Sequence, residues 1–150
     1  MTITINDKKV PKKCRVTSCK HPRCSVGLNG FNSPLIIDMD CKELGLSHQT
    51  RCDYLFLVKK NKISLVSPIE LKGGGIGSLT LLKNQLQKGA DFALEILPEN
   101  PDVNLVPVLV YGTIGNKHKR EKIRGVKIKF NGKKYGIRII QCGGQLNKVL

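Results

Sequence analysis

Asp53, Glu70 and Lys72 are the residues whose types and spacing suit chemistry on a phosphate. They lie in the stretch RCDYLFLVKKNKISLVSPIELKGGG, Arg51 to Gly75, which is otherwise mostly apolar. Side chains alternate across a strand, so Glu70 and Lys72 share one face while Ile69 and Leu71 take the other. If the stretch folds back on itself, Asp53 comes to lie beside Glu70. Two neighbouring carboxylates repel unless something positive sits between them. A hard divalent cation such as Mg2+ fits oxygen ligands of this kind. Such an ion polarises a phosphoryl oxygen and lowers the pKa of a bound water. The ammonium of Lys72 would position that water or stabilise charge on the phosphate. Taken alone, the tripeptide Glu70-Leu71-Lys72 is also what a surface ion pair looks like. The apolar strand, the upstream acid and the following glycines and helix favour a site.

The elements that must hold these residues are legible in outline. DYLFLVKK and ISLVSPIELKG, joined at Asn61–Lys62, read as an antiparallel hairpin from Asp53 to Gly73. Pro68 cannot donate to a ladder, which predicts a bulge or break near Ser67–Pro68. After Gly73–Gly75, Ser78 is a suitable N-cap. Leu79, Leu82, Leu86, Ala93 and Ile96 recur near the helical period, and Pro98 and Pro101 end the helix. VNLVPVLVYG reads as one buried strand, which makes Ile69 to Tyr111 a parallel strand–helix–strand crossover. Upstream, PLIIDMDCKELGL predicts a strand and then a turn or short helix. Residues 1–34 are basic, contain cysteines and should be irregular, apart from a short strand at TITI. Downstream, NKHKREKIR reads as a basic loop. GVKIKFNGKKYGIRII reads as a terminal hairpin with a type I′ turn at Asn131–Gly132. The expectation is a single α/β (α+β) domain over 1–150. It has a mixed central sheet with a strand-strand-strand-helix-strand core, plus the C-terminal β-hairpin.

Asp53 followed by Glu70-Leu71-Lys72, on adjacent strands before a helix, resembles the PD-(D/E)XK nuclease superfamily, over roughly Leu35 to Tyr111. The resemblance implies a restriction-endonuclease-like fold and Mg2+-dependent hydrolysis of phosphodiester bonds, with Mn2+ able to substitute. It implies metal binding by Asp53, Glu70 and the Leu71 carbonyl, and a catalytic Lys72. Some members place a glutamine on the following helix; Gln85 matches best and Gln87 second. Cys52 stands before the Asp where the family motif has Pro. Many members add an upstream Glu to the metal site. Glu43, Asp38 and Asp40 are the candidates, and the sequence does not choose among them. DNA is the family's majority substrate, in repair, recombination or defence, and a small catalytic domain often works as a homodimer.

Charge supports a polyanionic partner. The chain has 26 Lys+Arg against 11 Asp+Glu, a formal net charge of +15, which favours nucleic acid first and acidic membrane surfaces second. Lys117, Lys119, Arg120, Lys127 and Lys129 are the expected phosphate contacts. With few aromatics and no Trp, binding through stacked bases is disfavoured. No apolar run approaches the ~18 residues that span a bilayer, and MTITINDKKVPKK lacks the apolar core of a signal peptide. The expectation is a cytoplasmic protein with no membrane partner. Gly73–Gly75 lack the Gly-Lys-Ser/Thr ending of a P-loop and read as a turn that lets substrate or backbone approach the site.

The cysteines leave alternatives open. In a cytosolic setting all six should be reduced. Cys14, Cys19, His21 and Cys24 offer zinc-type ligands, but their spacing is unusual, and ordinary thiols or a redox pair are the competing reading. His48 and His118 enter no pattern. Two further readings compete with a nuclease: a catalytically inactive nucleic-acid-binding module of the same fold, and a zinc-stabilised interaction protein centred on Cys14–Cys24.

Overall fold

A computed structural model of the chain describes residues 3–46, 48–99 and 102–150. The fold is α+β, a mixed central sheet with two α-helices. The strands are β1 (Arg15–Val16), β2 (Cys19–His21), β3 (Cys24–Val26), β4 (Leu35–Asp38), β5 (Tyr54–Lys60), β6 (Ile63–Lys72), β7 (Val103–Leu105), β8 (Val108–Tyr111), β9 (Lys127–Phe130), β10 (Lys133–Gly136) and β11 (Arg138–Gln141). The helices are α1 (Leu79–Ile96) and α2 (Lys117–Gly125). The central sheet runs β1-β4-β5-β6-β8-β11, with β7 also on β6; β2–β3 and β9–β10 are separate hairpins.

The β5–β6 hairpin is the spine. Asn61 and Lys62 both have positive φ, 52° and 69°, the type I′ geometry whose twist matches the flanking strands. That turn sets the register: Tyr54 opposes Ile69, so the next pair outward is Asp53 and Glu70. Alternation then divides two cores. Leu55, Leu57, Val66 and Leu109 face the core that buries Leu82, Leu86, Ala90 and Ala93 of α1. Phe56, Leu65, Ile69, Leu71 and Val110 face a second core with Cys19, Cys24 and Val26 of the β2–β3 hairpin. Glu70 and Lys72, in phase with Val66, project to the α1 side.

Helix α1 begins where expected, with Ser78 Oγ accepting from Leu81 N at 3.3 Å. Leu97 is its C-cap; Pro101 lies outside the described residues. Gly89 brings the helix onto the sheet, since a Cβ there would lie 2.6 Å from Cys52 Sγ and 2.7 Å from Pro68 Cβ. β6 and β8 pair in parallel through α1.

Several sequence expectations need correction. β6 is unbroken through Ser67–Pro68. The break lies in its neighbour, where VNLVPVLVYG is two strands separated by Val106–Pro107. Val66 O accepts from Val106 N, so the backbone of Pro68, two residues on, points to the same side. There it meets the gap between β7 and β8, where no donor is required. The basic loop is α2, capped by Asn116 Oδ1 accepting from Lys119 N at 2.9 Å. The terminal hairpin has the expected turn, Asn131 and Gly132 at φ 49° and 79°, but ends at Gly136. The chain then returns to the main sheet as β11, parallel to β8. The described part of TITI, Ile3–Ile5, is not a strand; Thr2 lies outside the described residues. The segment before residue 34 carries β1 and the β2–β3 hairpin rather than irregular chain alone.

The cysteines also need correction. Cys14 is bonded to Cys41 and Cys24 to Cys142, leaving Cys19 and Cys52 as buried free thiols. The expectation of six reduced thiols therefore fails. Among the described residues, no helix is long and apolar enough to cross a membrane.

Candidate active site

The site lies at the end of β6 where β5 begins. The backbone of Asp53 is held from both sides: Met39 N donates to Asp53 O at 3.0 Å, and Asp53 N to Ile69 O at 3.1 Å. Its carboxylate is engaged twice. Leu71 N donates to Oδ2 at 2.7 Å, and His21 Nε2 lies 3.0 Å from Oδ1. Lys72 Nζ donates to Glu70 Oε2 at 2.9 Å. Exposure is graded across the site: the side chains of Glu70, Asp53, Lys72 and His21 are 4%, 14%, 25% and 40% exposed. The hidden end is the carboxyl of Glu70 and the open end is the imidazole.

Burial decides the charge state of Glu70. Removal from water pushes its carboxyl up to about 8, and the Asp53 carboxylate adds to the shift. The hydrogen bond and charge of Lys72 pull the other way and are outweighed. At neutral pH Glu70 therefore favours its protonated form, although an ammonium lies beside it.

Two polar atoms near this point have no partner. Glu70 Oε1 and Gln85 Oε1 are buried and accept no hydrogen bond from the chain. An unmet buried acceptor costs about 1–3 kcal/mol, so each calls for a proton, a water or a cation. Gly89 lies over Pro68. Gln85 is one turn earlier on the helix, about 6 Å along its axis, and Glu70 is two residues further along the strand, about 7 Å. The helix runs back against β6, so the two displacements have the same direction and bring Gln85 over Glu70. Gln87 does different work. Its amide donates to Asp91 Oδ1 and Lys129 O, and its Oε1 accepts from Lys129 N. It laces α1 to β9, so of the two candidates Gln85 is the one with a buried, unsatisfied oxygen.

The upstream acids do not join. Asp40 pairs with Arg51 at 2.9 Å. Asp38 Oδ1 accepts from Asp40 N, and Asp38, in phase with Ile36, faces the second core and not α1. Glu43 lies with Cys14 and Cys41. That trio is the one place among the described residues where three ligand-type atoms come within 4.8 Å of one another, but both sulfurs are already bonded to each other. The proposed zinc set Cys14, Cys19, His21 and Cys24 is dispersed. Cys14 and Cys24 belong to different disulfides. Burial pushes the Cys19 thiol up to about 12, so it stays protonated, and His21 turns to Asp53. Cys52, before Asp53, is likewise pushed well up by burial.

Sequence reasoning did not assign His21 to this site. The β2–β3 hairpin carries it there, anchored by the Cys24–Cys142 bond and by Tyr54 Oη donating to Lys20 O at 3.0 Å. No local pattern in the sequence encodes that docking. Of the glycines, Gly73 accommodates the hairpin: a Cβ there would lie 2.6 Å from Arg23 Cβ, whereas Gly74 and Gly75 face open space.

The basic residues divide. Lys117, Lys127 and Lys129 are exposed. Lys119 Nζ donates to Ile76 O at 2.8 Å, and the Arg120 guanidinium lies 5.7 Å from the Tyr111 ring centroid. These two dock α2 beside the site, since Tyr111 pairs with Lys72.

The arrangement gathers two carboxyls, an ammonium, an imidazole and an unsatisfied amide at one strand end, between a basic helix and a cross-linked hairpin. No protein-family model, curated protein or solved structure matches the chain.

Proposed function

We propose that the protein is a metal-dependent nuclease of the restriction-endonuclease-like, PD-(D/E)XK type, hydrolysing phosphodiester bonds in DNA. The observation that carries this reading is the unmet demand of Glu70 Oε1 and Gln85 Oε1 beside Asp53. A buried carboxyl held neutral against an adjacent ammonium is poorly explained as a structural ion pair, and well explained as half of a cation site. Asp53, Glu70 and the Leu71 carbonyl are an all-oxygen donor set, which suits Mg2+, with Mn2+ able to replace it. Bound there, the ion would supply a Lewis acid for a phosphoryl oxygen and a water of lowered pKa.

The chain's own groups do the rest. Lys72 places an ammonium within 2.9 Å of Glu70, where it can stabilise charge on the phosphate. Gln85 Oε1, lacking any protein donor, accepts from a water and orients it. Leu71 N and His21 hold the two oxygens of Asp53 and fix its rotamer. Exposed Lys117, Lys127 and Lys129 bind backbone phosphates, with Lys119 and Arg120 placing their helix. The net charge of +15 draws the polyanion in.

The test is a cleavage assay on linear, nicked, branched and single-stranded DNA and on RNA, with Mg2+, with Mn2+ and with EDTA. Cleavage that needs the divalent ion and disappears in Glu70→Ala is the expected result. Tight binding without cleavage by the unaltered protein would replace this reading with the non-catalytic module.

A further inference from the structure

We propose that Arg23, at the tip of the β2–β3 hairpin, is the subsite for a nucleic-acid backbone phosphate flanking the bond that is cut. Phosphate binding by Arg23 stands on its own observations, and its position next to the bond that is cut rests on the nuclease reading. Arg23 differs from three cations near the site. Lys72 is paired with Glu70, Lys119 bonds to Ile76 O, and Arg120 lies against Tyr111. Among the described residues the guanidinium of Arg23 has no acid, carbonyl or ring as partner, and the side chain is exposed.

Yet its backbone is fixed. Cys24 is bonded to Cys142, Lys20 O accepts from Tyr54, and the stem of Arg23 presses on Gly73, where a side chain would collide. The chain thus keeps an arginine on a rigid mount and leaves its donors unused. Beside it opens a cleft of about 290 Å³ lined by His21, Pro22, Arg23, Leu71, Gly73 and Gly74, with no acid among them. The planar fork of an arginine suits two phosphate oxygens at once. The cleft lies on the hairpin side of the Leu71–Gly73 backbone, whereas Glu70 and Lys72 project to the other. A strand passing the end of β6 would therefore present one phosphate to Glu70 and Lys72 and a neighbouring one to Arg23.

The test measures binding of a labelled DNA duplex, in EDTA to prevent cutting, across a range of salt. Arg23→Ala should weaken binding about tenfold, the size of a lost hydrogen bond to a charged group. It should also make the slope of log affinity against log salt shallower by about 0.9. Arg23→Lys should recover the slope but only part of the affinity, because it restores the charge without the fork. The thermal midpoint should not move, since the guanidinium holds nothing in the fold. Unchanged affinity and slope in Arg23→Ala overturn the subsite, and cleavage by that variant at the normal rate would then leave the nuclease reading standing alone. Weakened binding by Arg23→Ala together with no cleavage by the unaltered protein supports the phosphate subsite and removes the nuclease reading.

Discussion

Two corners of the molecule gather metal-ligand chemistry, and they differ in what is left over. At Cys14, Cys41 and Glu43, three ligand-type atoms lie within 4.8 Å of one another. At the other corner His21 Nε2 is 3.0 Å from Asp53, but among the described residues no third ligand-type atom lies within 4.8 Å of both Asp53 and Glu70. By distance alone the first corner is the better metal site. Its two sulfurs, however, are bonded to each other, so their coordinating electron pairs are not offered as thiolates. The second corner holds a carboxyl that burial pushes towards its neutral form and two buried oxygens, Glu70 Oε1 and Gln85 Oε1, without a protein partner. On the proposed reading, unmet polar demand says more about a cation than crowding of ligand residues does.

The largest effect expected is on chemistry. Asp53→Ala or Glu70→Ala should reduce cleavage to background while circular dichroism stays unchanged. Lys72→Ala should lower kcat by about 10²–10³, the usual cost of losing a preorganised charge-stabilising donor, with divalent-ion affinity retained. Full activity of Glu70→Ala would break the comparison outright.

The second effect is on stability and has a definite sign. Glu70 holds its proton more tightly when folded, so between the ordinary carboxylate range and about pH 8 the folded state carries the extra proton. Without metal, stability should fall as pH rises through that window. Glu70→Gln should flatten the fall and exceed the unaltered protein at pH 8 by on the order of a few kcal/mol. Denaturant melts in EDTA at several pH values measure it. A steeper fall in Glu70→Gln would contradict the neutral carboxyl.

The other corner is tested by counting thiols. Denatured without reductant, the protein should show two reactive thiols, Cys19 and Cys52. Mass spectrometry of the alkylated chain should place them there. Reduction should destabilise the fold by about 2–4 kcal/mol per bridge, and EDTA should not unfold the protein. Six thiols, or zinc retained after purification, would reopen Cys14–Cys41–Glu43 as a metal site. The smallest effect is at the N-terminus of α1. Ser78→Ala should cost about 1 kcal/mol through the lost cap, with cleavage nearly unchanged.

What the sequence revealed and what it hid follow a physical division. The meeting of Asp53 and Glu70 was legible because it depends on local rules: a turn at Asn61–Lys62, a period of two, and no insertions between. The helix carrying Gln85 was legible from its apolar stripe and Ser78. Helix α2 was hidden because Ile123 is its one buried residue, so no apolar period marks it. Pro68 misled because its missing donor is tolerated by a gap in a neighbouring strand nearly forty residues away in the chain. The place of β11 and the approach of His21 depend on tertiary docking. The disulfide pairs were equally opaque, since connectivity cannot be deduced from the spacing of six cysteines alone.

The seat of the N-terminal hairpin has a consequence in time. Ser25 O accepts from Gly143 N, Gly27 N donates to Gly144 O, and Gly27 O accepts from Leu146 N, while Cys24 is tied to Cys142. A ribosome makes His21 and Arg23 among the first residues of the domain and their anchorage among the last. A growing chain can close β5 on β6 and bring Asp53 to Glu70 long before the hairpin has anything to sit on. The wall of the site is thus the last part to be finished, and a chain stopped short of residue 142 would carry the carboxylates without the clamp.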